Sequence, residues 1–141
     1  MDWTIELKGS GLERPMVFSY RQLAGMKMTR LENVHMRMTH APDQTTAWEG
    51  PPLDALFAEA RIRPGPMTLI LEESGGYGKE CTLAQAKSAI VAIKDGEGRW
   101  LVDLDAQRPL RLILPEMPAN YWIRNLALVV VEPAAHAGES K

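Results

Sequence analysis

Methionine and histidine crowd one stretch of the chain: Met26, Met28, His35, Met36, Met38 and His40 fall within 15 positions. Thioether and imidazole donors suit a soft cation such as Cu(I). On an extended strand Met36, Met38 and His40 point to one side, so three such donors converge. Methionine is equally a filler of ordinary cores, which is the competing reading. A second chemical signal is charge set inside apolar sequence. Arg111 interrupts the run Leu110 to Leu114. A guanidinium there must be exposed, paired with a carboxylate such as Asp103 or Asp105, or turned toward a ligand. Arg124 follows Trp122 and Ile123 in the same way, with a solvated face as its simpler explanation. Glu72, Glu73 and Glu80 flank the glycine-rich turn Ser74 to Gly78, where acidic residues are usually just solvated. No Ser-His-Asp order, HExxH pair or P-loop occurs, so the common hydrolytic and nucleotide-dependent machineries are not written in the chain. Cys81 is the single cysteine, which excludes an internal disulfide and a paired-cysteine metal knuckle.

The elements that must position these residues belong to one globular unit. The 141 residues are 45% hydrophobic and 24% charged, an ordinary composition for a folded domain. We expect a single domain over residues 1–133 and a flexible, polar tail over 134–141. A net charge of −2 offers no basic footprint, so nucleic acid is not an expected partner. No run approaches the ~20 apolar residues of a membrane helix, so no membrane is expected either. The amino terminus shows no basic segment followed by an apolar one. That leaves a cytoplasmic protein as written, or a periplasmic one from which a leader has been removed.

Trp3, Ile5 and Leu7 alternate with polar neighbours as a half-buried strand does. Met16 to Phe18 make a second strand, and Ser19 with Gln22 is a capping box opening a helix over Tyr20–Ala24. Asn33 to Thr39 alternate, with His35 and Arg37 on one face and Val34, Met36 and Met38 on the other. Ala41–Thr46 reads as a loop. Pro51-Pro52 precedes a helix carrying Leu53, Leu56, Phe57 and Ala60 on one side. Further strands are expected at Met67–Leu71, Leu110–Leu114 and Ile123–Val131, with alternation over Trp100–Leu104 and a hairpin turn at Asp95-Gly96. Thr82 and Gln85 form a second capping box, for a helix Leu83–Ala89. The sum is an α+β fold of seven or eight strands and three short helices, rich in mixed β-sheet.

Four segments in order then carry a resemblance. Trp48-Glu49-Gly50-Pro51-Pro52-Leu53-Asp54-Ala55-Leu56-Phe57 is similar to the W-x-G-x-P-L-x-x-L-L segment of the sulfite-oxidase family, and Gly76-Tyr77 to its D-G-Y. Arg108-Pro109-Leu110-Arg111-Leu112-Ile113-Leu114-Pro115 is similar to its G-x-P-L-R-L-V-V-P, and Trp122-Ile123-Arg124-Asn125-Leu126 closes the series. The chain thus resembles the molybdopterin-binding domain of that family from about Trp3 to Glu132, which implies the sulfite-oxidase-type fold. In that family one cysteine, about ten residues before the W-x-G tryptophan, holds the molybdenum. That count lands on Met38, whose neutral thioether does not replace an anionic thiolate on a high-valent metal.

The resemblance also implies that Arg111 and Arg124 meet the anionic and carbonyl groups of a pterin, with Trp122 and Tyr77 as stacking walls and Met38 beside it. Tyr121 and Trp48 are further aromatic candidates, Trp48 doubling as core. The expected function is therefore binding or sensing of molybdopterin or another pterin without catalytic molybdenum, or passing a signal to a protein partner. A molybdopterin oxidoreductase with altered metal ligation and a Met/His Cu(I) module are the two alternatives.

Overall fold

Ile5 and Leu7 of the alternating first strand, β1 (Thr4–Lys8), are completely buried. In the computed structural model, which describes residues 3–38 and 41–134, β1 pairs antiparallel with β2 (Met16–Ser19). The Ser19–Gln22 capping box then opens helix α1 (Tyr20–Ala24), with the backbone N–H of Gln22 donating to Ser19 Oγ at 3.1 Å. Strands β3 (Thr29–Met36) and β4 (Gln44–Gly50) form the next antiparallel pair. Helix α2 (Leu53–Glu59) buries Leu53, Leu56 and Phe57 as its spacing requires. After it come β5 (Met67–Glu73), β6 (Gly78–Thr82), β7 (Ile90–Ala92), β8 (Lys94–Asp95), helix α3 (Leu101–Leu104), β9 (Arg111–Ile113) and β10 (Leu126–Pro133).

Three sheets result. Five strands run in the order β2-β1-β10-β5-β6, three in the order β3-β4-β8, and β7 pairs with β9. Because β1 lies parallel to β10 while the other pairs are antiparallel, the large sheet is mixed, as expected. One apolar cluster, in which Leu69, Leu71, Leu112, Ile113, Val129 and Val131 are fully buried, runs through the molecule. Two of the sheets come into close contact at Gly50. A Cβ there would lie 1.9 Å from the carbonyl oxygen of Val91 on β7, so only a glycine fits.

Several expectations change. Residues 44–46, read as loop, belong to β4: Thr45 and Thr46 are β-branched and pair with His35 and Val34, so a polar, exposed strand forms because its partner fixes it. The strand expected from Asn33 begins at Thr29, and Asn33 itself sits at a register shift with φ of +58°, a bulge that asparagine tolerates. The Thr82–Gln85 capping box forms, but only the 3-10 turn Ala84–Ala86 follows it. The chain must enter β7 at Ile90, too soon for a helix to propagate. Residues Trp100–Leu104, read as alternating, hold the one-turn helix α3 instead. The last strand starts at Leu126 rather than Ile123, because Trp122–Asn125 bend to bond β9's flank.

The described chain therefore has ten strands and three α-helices. Thr39 and His40 lie outside the described residues. So does the expected tail from residue 135 on, whereas the Ala134 N–H donates to Pro66 O at 3.0 Å. No described helix is long and apolar enough to cross a membrane.

Candidate functional site

Arg111 lies on β9 between fully buried Leu110 and Leu112, so its side chain leaves the opposite side of the strand from theirs. Residues 122–126 run beside that strand: the Leu112 N–H donates to Ile123 O at 2.9 Å and the Leu126 N–H to Leu110 O at 2.7 Å. This pairing brings Arg124 into the neighbourhood of Arg111. Asn125, the one buried polar residue among those described, locks the arrangement. Its Oδ1 accepts from the Leu110 N–H at 3.2 Å and its Nδ2 donates to Ser74 Oγ at 3.2 Å. The Ser74 N–H also donates to Asn125 O at 3.2 Å. The turn after β5 is thereby tied to the strand that carries Arg111.

Met38, Tyr77, Arg111, Trp122 and Arg124, the residues singled out from the sequence, all line one cavity of about 510 Å³. That volume falls within the ~300–1,000 Å³ typical of small-molecule sites. Met36, Glu73 and Asn120 share the cavity. Sequence reasoning had Glu73 as an ordinary solvated carboxylate, and nothing in the local sequence marks Asn120 or the bracing role of Asn125.

The walls are fixed by their own contacts. Trp122 is 4% exposed, and its indole N–H donates to both Leu114 O at 2.8 Å and Met117 O at 3.0 Å. Its polar atom is thus spent on the backbone, leaving an apolar surface toward the cavity. Tyr77 is 49% exposed at the rim, and its hydroxyl donates across to Asn120 O at 3.4 Å. Lys79 Nζ stands 5.6 Å from the Tyr77 ring and 5.1 Å from the Tyr121 ring, close enough for cation–π attraction to hold the two aromatics together. Trp48 is core, as its simpler reading had it, and serves as a platform: the Arg111 guanidinium lies 5.1 Å from its ring centroid. The Trp48 indole N–H donates to Thr46 Oγ1 at 2.8 Å.

Electrostatically the site is unfinished. Arg111 Nε is buried and has no hydrogen-bond partner, and among the described residues no carboxylate lies within 4.0 Å of Arg111. Asp103 and Asp105, considered as its counter-ions, do not pair with it; Asp105 instead approaches Arg108 Nε at 4.0 Å. Burial above all, then the Arg124 and Arg108 charges, pull Arg111 below the usual arginine range, against the pull of Asp105. An unpaired, desolvated cation beside further cations is costly unless an anion arrives.

The methionine side of the cavity is different. Met36 is 9% exposed and Met38 half-buried, both against the cavity, while His35 is exposed and its Nε2 lies 2.9 Å from Asp43 Oδ2. Asp43 also accepts the Met38 N–H at 3.0 Å. His40, the third member of the proposed thioether–imidazole set, lies outside the described residues. Among the described residues no cluster of three or more His, Cys, Asp or Glu could hold a metal ion. Cys81 is buried on β6 opposite Leu69 and is not part of the cavity. Burial, with Glu80 nearby, pushes its thiol up to about 11. The thiol therefore stays protonated at neutral pH and is no thiolate donor. Cys81 is expected to resist Ellman's reagent in the folded protein at pH 8 and to react when urea unfolds it. Rapid labelling without denaturant would refute that burial.

The residues present are compatible with the anionic end of a pterin-type cofactor: a guanidinium whose Nε has no hydrogen-bond partner and a second arginine line a cavity of suitable size. The site does not fit molybdenum held by a protein thiolate, since the only sulfur donors that the described residues bring to the cavity are the thioethers of Met36 and Met38.

The model of the oxidoreductase molybdopterin binding domain matches residues 1–139. None of the curated proteins matches the chain. Among solved structures, the sulfane dehydrogenase SoxCD from Paracoccus pantotrophus superposes with a TM-score of 0.77 at 20% identity, over 94% of this chain and 39% of that one. At that identity the likeness is one of fold, and the chain spans well under half the length of that relative.

Proposed function

The chain belongs to the oxidoreductase molybdopterin-binding domain family, and from that premise we propose that it binds molybdopterin or a related pterin without a catalytic molybdenum held by the protein. The observation that carries this reading is the buried, partnerless Nε of Arg111 at a cavity shared with Arg124. A phosphate or other anionic substituent there supplies the missing acceptor and offsets the repulsion between the two guanidinia. Trp122 and Tyr77 offer flat surfaces on which a fused heteroaromatic ring stacks. When bound, a pterin dithiolene would supply metal-chelating sulfurs, but Met36 and Met38 offer no anionic ligand to complete such a centre. The role that follows is binding or sensing of the pterin, with the occupied state read by a protein partner at the exposed rim around Tyr77. The two arginines at the same cavity also oppose a Cu(I) ion, which weighs against the Met/His module.

Metal content and extractable pterin are to be measured on one sample purified from a host able to make molybdopterin. The expected result is fluorescent pterin after extraction, without stoichiometric molybdenum. Stoichiometric molybdenum would restore the oxidoreductase reading with the metal held by the dithiolene alone. Absence of both would overturn the pterin reading.

A further inference from the structure

The cavity holds a third charged group that the anion reading leaves unused. Glu73 ends β5, and its backbone is fixed by the turn: its N–H donates to Tyr77 O at 2.8 Å and its carbonyl accepts the Gly76 N–H at 2.9 Å. Glu73 lines the cavity and is half-buried, yet among the described residues its carboxylate has neither a hydrogen-bond donor nor a cation within 4.0 Å. It is therefore not the counter-ion of Arg111 or Arg124, although all three reach the same space. The site presents cations at one place and a free double acceptor at another. A ligand that fits both must carry an anionic group and, apart from it, a pair of adjacent donors.

We propose that Glu73 is the specificity-determining residue of this site, accepting the paired N–H donors of a 2-amino-4-oxopyrimidine ring edge while the arginines hold the ligand's anionic end. This rests on the pterin reading above. The chemistry is that of a fork: a ring N–H and the adjacent 2-amino group point the same way, about as far apart as the two oxygens of a carboxylate, so two charge-assisted bonds form together. The 2-oxo analogue of the ring puts an acceptor where the amino donor was. Two oxygens then face each other, and the half-buried carboxylate loses a bond it cannot replace. Such a site rejects the wrong edge because its half-buried acceptor is then left unpaired.

The test uses two probes that share an anionic group and differ at the ring's 2-position: pterin-6-carboxylate and lumazine-6-carboxylate, titrated calorimetrically into the full chain. The parent protein is expected to prefer the pterin by about ten- to hundredfold, the usual reach of a hydrogen bond to a charged group. Glu73→Gln is expected to bring the two affinities within about threefold of each other, chiefly by improving lumazine binding. If the parent binds both probes equally and Arg111→Ala weakens both, the assignment of Glu73 falls while the anion site stands. If Glu73→Gln tightens both probes in proportion, the carboxylate is only a counter-charge, and the proposal is likewise overturned. If neither probe binds the parent, the pterin reading itself fails and takes this inference with it. The comparison of the two probes on the parent protein needs no variant, so a misfolded variant does not rescue the proposal.

Discussion

Alanine in place of Gly50 is expected to cost several kcal/mol of stability and to leave most of the chain unfolded. The added Cβ would lie 1.9 Å from Val91 O, 2.7 Å from Val91 C and 2.8 Å from Ala92 Cα. All three contacts are backbone atoms, so no side chain can swing away. The strands are also held on both flanks of the contact, by Val91 N–H to Pro51 O at 2.8 Å and Ile93 N–H to Glu49 O at 3.0 Å. Relief requires moving β7 off β4 and giving up such bonds at about 1 kcal/mol each, on top of ~1–3 kcal/mol or more for the overpacking itself. The sum is a large part of the ~5–15 kcal/mol that a domain has in total. Gly75→Ala is the control, since nothing lies within 4 Å of its built Cβ. That variant is expected within about 1 kcal/mol of the parent, on the stabilising side. Urea titration followed by far-UV circular dichroism reads both. A Gly50→Ala protein as stable as the Gly75→Ala one would mean that β4 and β7 do not approach as described.

The second large effect has two signs. Arg111→Met is expected to stabilise the ligand-free protein by about 1–2 kcal/mol and to weaken binding of an anionic pterin by about 1–3 kcal/mol. The stabilisation follows from removing a desolvated guanidinium whose Nε has no acceptor and whose nearest charged neighbours include Arg124 and Arg108. Methionine keeps a polarizable atom over the Trp48 ring, so the lost cation–π attraction is largely replaced. Binding weakens because the anion loses its principal partner. Thermal melts with and without pterin-6-carboxylate resolve the two: the variant should melt higher alone and show a smaller shift with ligand. A variant that melts lower and binds as well as the parent would make Arg111 a structural residue and nothing more.

How much of this was legible in the sequence depends on the range of the signal. Ile5, Leu7, Leu53, Leu56 and Phe57 announce their strand and helix because burial there follows a local period. Arg111 and Arg124 announce themselves because a charge within apolar sequence must be explained, Met38 through the methionine cluster as well as the resemblance, and Tyr77 and Trp122 through the resemblance; all five line one cavity. The start of β4 at Gln44 is not visible in the sequence because its polar residues become a strand only through pairing with β3. Helix Leu83–Ala89 was overread because a correct cap says where a helix can begin, not how soon the tertiary path will end it. Glu73 and Asn125 were invisible as site residues for a related reason. Asn125 matters through Ser74 and Leu110 and Glu73 through the cavity it shares with Arg111 and Arg124, all brought together only by folding.

The placement of β10 has a consequence for how the protein is made. Leu126–Pro133 is the last of the ten described strands to be synthesised, yet it lies in the middle of the five-stranded sheet, between β1 and β5. Until it emerges, β1–β2 and β5–β6 exist as two separate hairpins, each with an apolar inner edge open to any other strand. Val129 and Val131, fully buried in the finished sheet, close both edges at once. A chain halted before Leu126 therefore leaves the facing edges of β1 and β5 unpaired, the kind of exposed edge that favours aggregation during synthesis.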